Sequence, residues 1–211
     1  MTSPSFADRI EAYDSDALEP SETETATFGL GCFWGPDKQF GAIDGVVRTR
    51  VGYAGGTIRE PTYHALGDHS EVIQVDYDPD ELTYTDLLEI VFRSHDPNRQ
   101  TRNTQYQNVV FAANEAQRDA IDSFLASQNL DADAIETRVE QLTRFYPAED
   151  YHQKYSLRSK RAILEGFEEA GYDDEAIRES PAAAKLNAEA GGKDVSLAGE
   201  LRDAVDPTAE Q

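Results

Sequence analysis

The 211 residues contain one cysteine, and its neighbours are suited to thiol chemistry. Cys32 lies in the segment Gly31-Cys32-Phe33-Trp34-Gly35, between a predicted strand and the predicted start of a helix. At a helix N-terminus, the macrodipole and unpaired N–H groups stabilise a thiolate. The flanking glycines allow unusual backbone angles and the close approach of a ligand. The segment therefore predicts a reactive thiol with a lowered pKa.

The same segment also fits an inert interpretation. Cys32 could be a small buried hydrophobe, with Phe33 and Trp34 as core residues. The five residues alone leave both interpretations open. A single cysteine excludes an intrachain disulfide and a multi-cysteine metal site. It therefore indicates a reducing compartment, and we expect a cytoplasmic protein.

Further motifs follow Cys32 in a fixed order: VGYAGGT at 51–57, PTY at 61–63, HSE at 69–71, HDP at 95–97, TQY at 104–106 and YPAEDYHQKY at 146–155. With GCFWG at 31–35, their order and spacing resemble the peptide methionine-S-sulfoxide reductases of the A family (MsrA). The resemblance covers roughly residues 26–156. It implies an α+β sandwich with a ferredoxin-like core, and no cofactor other than a thiol reductant.

The resemblance implies a nucleophile and a proton donor. Cys32 matches the family's nucleophile, whose thiolate attacks the sulfoxide sulfur and is left as a sulfenic acid. Glu71 matches the residue that supplies a proton to the departing oxygen. A carboxyl group in an apolar pocket has a raised pKa, which keeps it protonated near neutral pH. By composition alone, Glu71 would instead be an exposed acid at a strand start.

Four aromatic residues complete the implied site. Tyr63 and Tyr106 match two phenols that hydrogen-bond the sulfoxide oxygen and its developing charge. Phe33 and Trp34 match the apolar walls that bind the substrate methyl group. Either tyrosine could instead be structural, since the chain has ten. The resemblance thus predicts one carboxyl group and two phenols close to one thiol.

Three departures from the family pattern concern the site and the catalytic cycle. The 98–103 loop is shorter than in the family and lacks an Asp that helps to organise the site. The segment before the strand of Glu71 reads His-Ser-Glu, where the family more often has Gly-His-Ala-Glu. Many members also resolve the sulfenic acid with a second cysteine, and this chain has none. An external thiol, from a redoxin or a small molecule, must therefore reduce Cys32.

The leading hypothesis is a monomeric peptide-methionine (S)-S-oxide reductase that repairs methionine-S-sulfoxide, free or in proteins. A single-cysteine thiol peroxidase would also form a sulfenic acid. It would need an Arg and a Thr near the thiol, and residues 31–35 contain neither. A catalytically weak or inactive paralogue that binds oxidised methionine is a further alternative, because the 98–103 loop is altered.

Hydrophobic periodicity predicts the elements that position these residues. Strands are expected at 25–30, 46–53, 71–77, 108–112 and 137–142, and helices at 35–40, 84–94, about 115–128 and 159–170. Thr83 with Asp86 and Asn114 with Gln117 predict two helix N-caps. The elements interleave without a strict βαβ rhythm. This favours an α+β fold, a two-layer sandwich of helices on a mostly antiparallel sheet.

Composition divides the chain into three parts. Residues 1–25 form an acidic N-terminal extension, expected to be loose or one short helix. Residues 26–171 contain most apolar and aromatic residues and form the predicted catalytic domain. Residues 172–211 are an acidic, Ala/Glu-rich C-terminal extension. A helix is expected there at roughly 174–189, with little that could anchor a core.

The formal charge of −22, from 41 acidic and 19 basic residues, excludes a basic nucleic-acid binder and argues against docking on anionic membranes. The sequence has no run of ~18 apolar residues and no signal-peptide pattern at its N-terminus. His69, His95 and His152 lack the spacing of a metal-ligand pair, so no metal site is expected. Because acids lie along the whole chain, the charge favours a halophilic protein whose repulsion is screened by salt.

Overall fold

A computed structural model describes residues 4–197 and 201, which form a mixed six-stranded sheet with helices packed on it. The strands are β1 (Glu24–Gly29), β2 (Val46–Ala54), β3 (Ser70–Tyr77), β4 (Val109–Ala112), β5 (Arg138–Gln141) and β6 (Phe145–Pro147). Each predicted strand lies within two residues of an observed one. The three-residue strand β6 was not predicted, because it is short and ends at a proline, which cannot donate to a ladder.

The strand order is β5-β4-β1-β3-β2-β6. Antiparallel pairs join β1 to β3 and β4, and β2 to β3 and β6, whereas β4 and β5 are parallel. In the register of β2 and β3, Tyr53 is opposite Glu71 and Ala54 is opposite Ser70. The end of β1 that leads to Cys32 therefore lies in the centre of the sheet, beside the start of β3.

Eight α-helices occur within the described residues. They are α1 (Phe6–Asp16), α2 (Trp34–Gly41), α3 (Tyr84–Arg93), α4 (Glu115–Ser127), α5 (Tyr155–Arg158), α6 (Arg161–Glu169), α7 (Asp174–Glu179) and α8 (Pro181–Ala190). Both predicted N-caps are confirmed, since Thr83 accepts from the Asp86 N–H group and Asn114 from the Gln117 N–H group. Local sequence therefore determines where α3 and α4 begin.

Side chains alternate between the two faces of β3, and each face has its own apolar cluster. Ile73 and Val75 belong to the main core, which contains residues of α2, α3 and α4. Val72 lies on the opposite face in a smaller cluster with Val109 and Phe111. Ser70 and Glu71 therefore begin β3 with their side chains on opposite faces of the sheet.

The expectation that the segment from residue 172 contributes little to a core is wrong. In α8, every residue from Pro181 to Ala188 is buried. Leu186 belongs to a second apolar cluster with Ile10 of α1, Leu157 of α5 and Phe167 of α6. Small side chains allow this close packing: a Cβ atom on Gly41 of α2 would lie 2.5 Å from the Ala184 carbonyl oxygen.

The N-terminal segment was expected to be either loose or one short helix, and it forms the helix α1. Ser5 and Asp8 form a capping box at its start, and Ile10 is fully buried. The ends of both predicted acidic extensions, residues 1–3, 198–200 and 202–211, lie outside the described residues. Among the helices that are described, none has the length and apolar character needed to span a bilayer.

Candidate active site

Cys32 lies in the short connection between β1 and α2. Gly31 has φ of +73°, a left-handed conformation that glycine adopts without steric strain, so the chain turns sharply after the strand. The Cys32 thiol is exposed, whereas the next residue, Phe33, is buried in the main core. The interpretation of Cys32 as a buried core residue is therefore wrong, although it is right for Phe33.

The predicted lowering of the Cys32 pKa is also wrong. Partial burial raises the pKa of the thiol, and the charge of Glu71 raises it further, while a hydrogen bond from the Trp34 backbone opposes them. α2 begins at Trp34, two residues after the cysteine. Desolvation and the charge of Glu71 therefore have a larger effect on the thiol pKa than the backbone at the start of α2.

Glu71 is directed at the peptide that follows Cys32. Its side chain is 1% exposed; Oε2 accepts from the Phe33 N–H group at 3.0 Å, and Oε1 accepts from Gln105 Nε2 at 2.7 Å. Burial raises the pKa of Glu71, and these two hydrogen bonds partly oppose the shift. The interpretation as an exposed acid is wrong, and the predicted raised pKa is confirmed in direction.

Tyr63 and Tyr106 come from two different segments and meet at the site. Tyr63 follows the turn after β2, and Tyr106 ends a short 3₁₀-helix, Thr104–Tyr106, before β4. A hydrogen bond with the Tyr63 side chain, together with burial and the charges of Glu71 and Cys32, raises the pKa of Tyr106 to about 12. Both phenols are partly exposed; Tyr106 interacts with the thiol and the carboxyl group, and Tyr63 is linked to them through Tyr106.

Phe33 and Trp34 form one side of an aromatic cluster. The Trp34 ring stacks on Tyr155 with 3.9 Å between the ring centroids. The His152 ring lies 5.2 Å from Phe33 and 4.7 Å from Tyr63, measured between centroids. Phe33 lies beneath this surface, and Trp34 is the part-exposed wall.

Three further residues belong to the site, although their positions within the sequence motifs predicted no role for them. Gln105 holds Glu71, and Glu149 accepts from the Tyr63 N–H group at 2.9 Å and from the Tyr53 hydroxyl group at 2.8 Å. His152 is 3% exposed, and within the described chain neither ring nitrogen has a hydrogen-bond partner. Gln105 lies in the TQY motif, and Glu149 and His152 lie in YPAEDYHQKY, so membership of these motifs could have identified them as site residues.

An open groove of about 550 Å³ lies beside the aromatic cluster. It is lined by Asp150, Tyr151, Tyr155, Arg158, Ser159 and Asp174. The side chains of Tyr151 and Tyr155 are about half exposed. The groove therefore continues from the Trp34 wall with two aromatic rings and charges of both signs. Over residues 4–197 and 201, no group of three or more His, Cys, Asp or Glu side chains is arranged to hold a metal ion.

Comparison with known sequences gives the same family along most of the chain. A family model described as peptide methionine sulfoxide reductase matches residues 24–180. A peptide methionine sulfoxide reductase from Drosophila melanogaster is 39% identical over 166 residues, which cover 77% of this chain and 66% of the fly protein. The MsrA of Methanothermobacter thermautotrophicus is 44% identical over 153 residues, covering 67% of this chain and 90% of that protein.

The fold is also similar to a solved structure. Methionine sulfoxide reductase A of Corynebacterium diphtheriae superposes with a TM-score of 0.56 and 33% sequence identity. The superposition covers 68% of this chain and 77% of the bacterial one. About two thirds of this chain therefore share a fold with this relative.

Proposed function

The chain belongs to the peptide methionine sulfoxide reductase family, and from this we propose that it reduces methionine-S-sulfoxide to methionine. The single supporting observation is the convergence on one exposed thiol of a buried carboxyl group and two phenols, those of Glu71, Tyr63 and Tyr106. Selectivity for the S epimer is taken from the A-family resemblance. The proposed substrate is free or protein-bound.

In the proposed reaction, the Cys32 thiolate attacks the sulfoxide sulfur while the oxygen gains a proton. Glu71 is the proton source in this proposal, because burial raises its pKa and so favours the protonated form. The Tyr63 and Tyr106 hydroxyl groups donate hydrogen bonds to the oxygen as its negative charge grows. The S–O bond breaks, and the oxygen attacks the Cys32 sulfur as hydroxide. The S–S bond formed by the thiolate then breaks, methionine leaves with its electron pair, and the oxygen is left on Cys32 as a sulfenic acid. The sulfoxide sulfur is reduced by two electrons and Cys32 is oxidised by two.

The sulfenic acid is then reduced by thiols from outside the chain. A first thiol displaces water and forms a mixed disulfide with Cys32, and a second thiol releases the Cys32 thiol and leaves with the first as a disulfide. Cys32 is the only cysteine in the sequence, which supports this route. A redoxin dithiol or two small-molecule thiols would supply both electrons without a further cofactor.

The aromatic cluster supports a substrate whose sulfur carries a methyl group. Trp34 offers a partly exposed apolar wall beside Cys32, and burial lowers the pKa of His152, which favours its neutral ring. The adjoining groove, with Tyr151 and Tyr155, has room for the polypeptide on one side of an oxidised methionine. We therefore favour protein-bound methionine sulfoxide.

Two finer features of the protein are part of the proposal. The element order β1-α2-β2-β3-α3-β4 and the strand order β4-β1-β3-β2 support a ferredoxin-like core within a two-layer, mostly antiparallel sandwich. The acidic composition supports a monomer that works in the cytoplasm of a halophile and is repelled by nucleic acids and anionic membranes.

Turnover of a Met-S-sulfoxide peptide with dithiothreitol tests the function. We expect multiple turnovers by the native chain, none by Cys32→Ser, and one sulfenic acid per chain by mass after a stoichiometric reaction without thiol. Binding of the peptide without turnover would instead indicate the non-catalytic paralogue. Peroxide reduction in place of sulfoxide reduction would indicate the peroxidase.

A further inference from the structure

A hydrogen-bonded pair on the far face of the sheet holds the turn that carries Tyr106. The Ser70 side chain is fully buried, and its hydroxyl group donates to the Thr104 carbonyl oxygen at 2.7 Å. Arg138 Nη1 in turn donates to Ser70 Oγ at 2.9 Å and to Gln107 Oε1 at 3.0 Å. The two ends of the turn, Thr104 and Gln107, are thus tied to the same two side chains.

We propose that Ser70 and Arg138 are positioning residues that fix the 104–107 turn for catalysis. This inference rests on the proposed function, since its consequence is the placement of Tyr106. Arg138 is itself held in place by the Glu140 carboxylate, whose Oε1 accepts from Arg138 Nε at 2.7 Å. The guanidinium group therefore bridges β5 to the start of β3 and to the turn.

Two side chains of the turn contact the residues of the candidate active site. Gln105 donates to Glu71, and Tyr106 presents its phenol beside Tyr63. Ser70 and Glu71 are neighbours on β3 with side chains on opposite faces of the sheet. One strand start therefore contacts the turn twice, through the Ser70 hydroxyl group on the far face and through the Glu71 carboxyl group on the site face.

The other contacts of the turn are with exposed chain. Asn103 Oδ1 accepts from the Gln105 N–H group at 3.2 Å, and Gln107 Nε2 donates to the Thr101 carbonyl oxygen at 3.0 Å. Residues 101–103 are all exposed, so these bonds join the turn to its own loop. The bonds of Ser70 and Arg138, together with that of Gln105 to Glu71, connect the turn to the buried sheet.

Hydrogen exchange tests this anchoring without any assay of activity. In Ser70→Ala, the Thr104 carbonyl and the Arg138 guanidinium each lose a partner, and we expect amides of residues 103–108 to exchange about tenfold faster. Arg138→Met should act in the same direction. Tyr84→Phe is the matched control, because it also removes a buried hydroxyl group bonded to a backbone carbonyl, that of Phe111, and should leave this segment unchanged. Unchanged exchange in both Ser70→Ala and Arg138→Met would overturn the proposal.

Kinetics test whether the anchor acts through Tyr106. We expect Ser70→Ala to lower kcat about tenfold, with Tyr84→Phe close to the native chain. In a Tyr106→Phe background, the further fall caused by Ser70→Ala should be clearly smaller. An undiminished fall there would mean a merely structural role and would refute the positioning role. If the native chain does not reduce the sulfoxide, the proposed function fails, whereas hydrogen exchange still decides the anchoring.

Discussion

At the scale of single residues, the site links the ionisation of Cys32 to that of Glu71. Burial and the Glu71 charge both raise the pKa of the thiol, and burial raises the pKa of Glu71. When Glu71 is protonated its charge is gone, and Cys32 ionises more easily. The reactive form therefore combines a protonated carboxyl group with a thiolate. It carries one proton in all, so activity should be level between the pKa of Glu71 and that of Cys32 and should fall as the pH rises through the raised pKa of the thiol.

Glu71→Gln should separate the two roles of the carboxyl group. The amide keeps the size of the side chain but has no charge and no acidic proton. We expect alkylation of Cys32 by iodoacetamide at pH 8 to become roughly two- to tenfold faster, because the repulsion on the thiolate is gone. Sulfoxide reduction should fall about 10²- to 10⁴-fold, because the proton donor is gone.

Glu115→Gln is the control for this prediction. Glu115 is exposed in the first turn of α4, so its change removes one charge without touching the site. Both rates should stay near those of the native chain. Retained reductase activity in Glu71→Gln would contradict the role of Glu71 as proton donor, and slower alkylation would contradict the electrostatic link to Cys32.

The sequence predicted which residues form the site more reliably than it predicted their pKa values and contacts. Cys32, Glu71 and Tyr106 could be identified because each lies in a local motif, and the structure brings them together. The direction of the thiol pKa could not be predicted, since it depends on burial and on a carboxylate 39 residues away in sequence. Glu149 and Gln105 act through contacts that only tertiary structure creates.

At the scale of elements, helix α8 supports the helix that follows Cys32. Asn187 is 1% exposed; its Nδ2 donates to Asp37 Oδ2 of α2 at 3.0 Å, and its Oδ1 accepts from the Ser156 and Leu157 N–H groups. Asp37 also accepts from the Thr49 hydroxyl group of β2 at 2.6 Å. One amide therefore connects α8, α2 and the start of α5.

Replacing Asn187 by Ala should destabilise the protein. The change leaves two N–H groups and one carboxylate oxygen buried with fewer partners, which costs about 3 kcal/mol of unfolding free energy. For a chain of this size, the melting temperature should fall by roughly 6–12 °C. Thermal and urea unfolding measure the loss. Asn98→Ala, at an exposed loop position, is the control and should change stability little. An unchanged melting temperature of Asn187→Ala would show that the amide is not a structural link.

The composition of residues 172–211 did not predict that α8 is buried, because alanine side chains are small. Ala182, Ala183 and Ala184 are fully buried, but each offers little apolar surface, so the segment has the composition of a weakly packed acidic extension. The same small size lets the helix backbone approach Gly41. The longer elements of residues 25–170, in contrast, could be predicted because their caps and periodicity are local features. The three-residue β6 and the single-turn α5 were not predicted.

At the scale of the whole molecule, the charge remains unbalanced after the ion pairs are formed. Arg50 joins β2, β3 and α7 through Asp76 at 2.7 Å and Glu179 at 2.5 Å. Such pairs use basic residues, of which the chain has 19, whereas it has 41 acids. The excess acids must therefore repel one another, and folding brings them closer than they are in the unfolded chain.

Stability should consequently rise with salt. The screening length falls from about 10 Å at 0.1 M to about 3 Å at 1 M salt, so added KCl weakens repulsion between exposed carboxylates more than it weakens buried pairs such as that of Arg50. We expect the melting temperature to increase by roughly 10 °C between 0.05 and 2 M KCl.

The triple variant Asp119→Asn, Glu168→Gln, Glu169→Gln removes three exposed charges and should be more stable at low salt, with a smaller rise on adding KCl. A melting temperature that stays flat or falls with KCl would refute the halophilic interpretation. A rise of equal size in the native chain and the triple variant would mean that KCl acts by strengthening apolar burial rather than by screening charge.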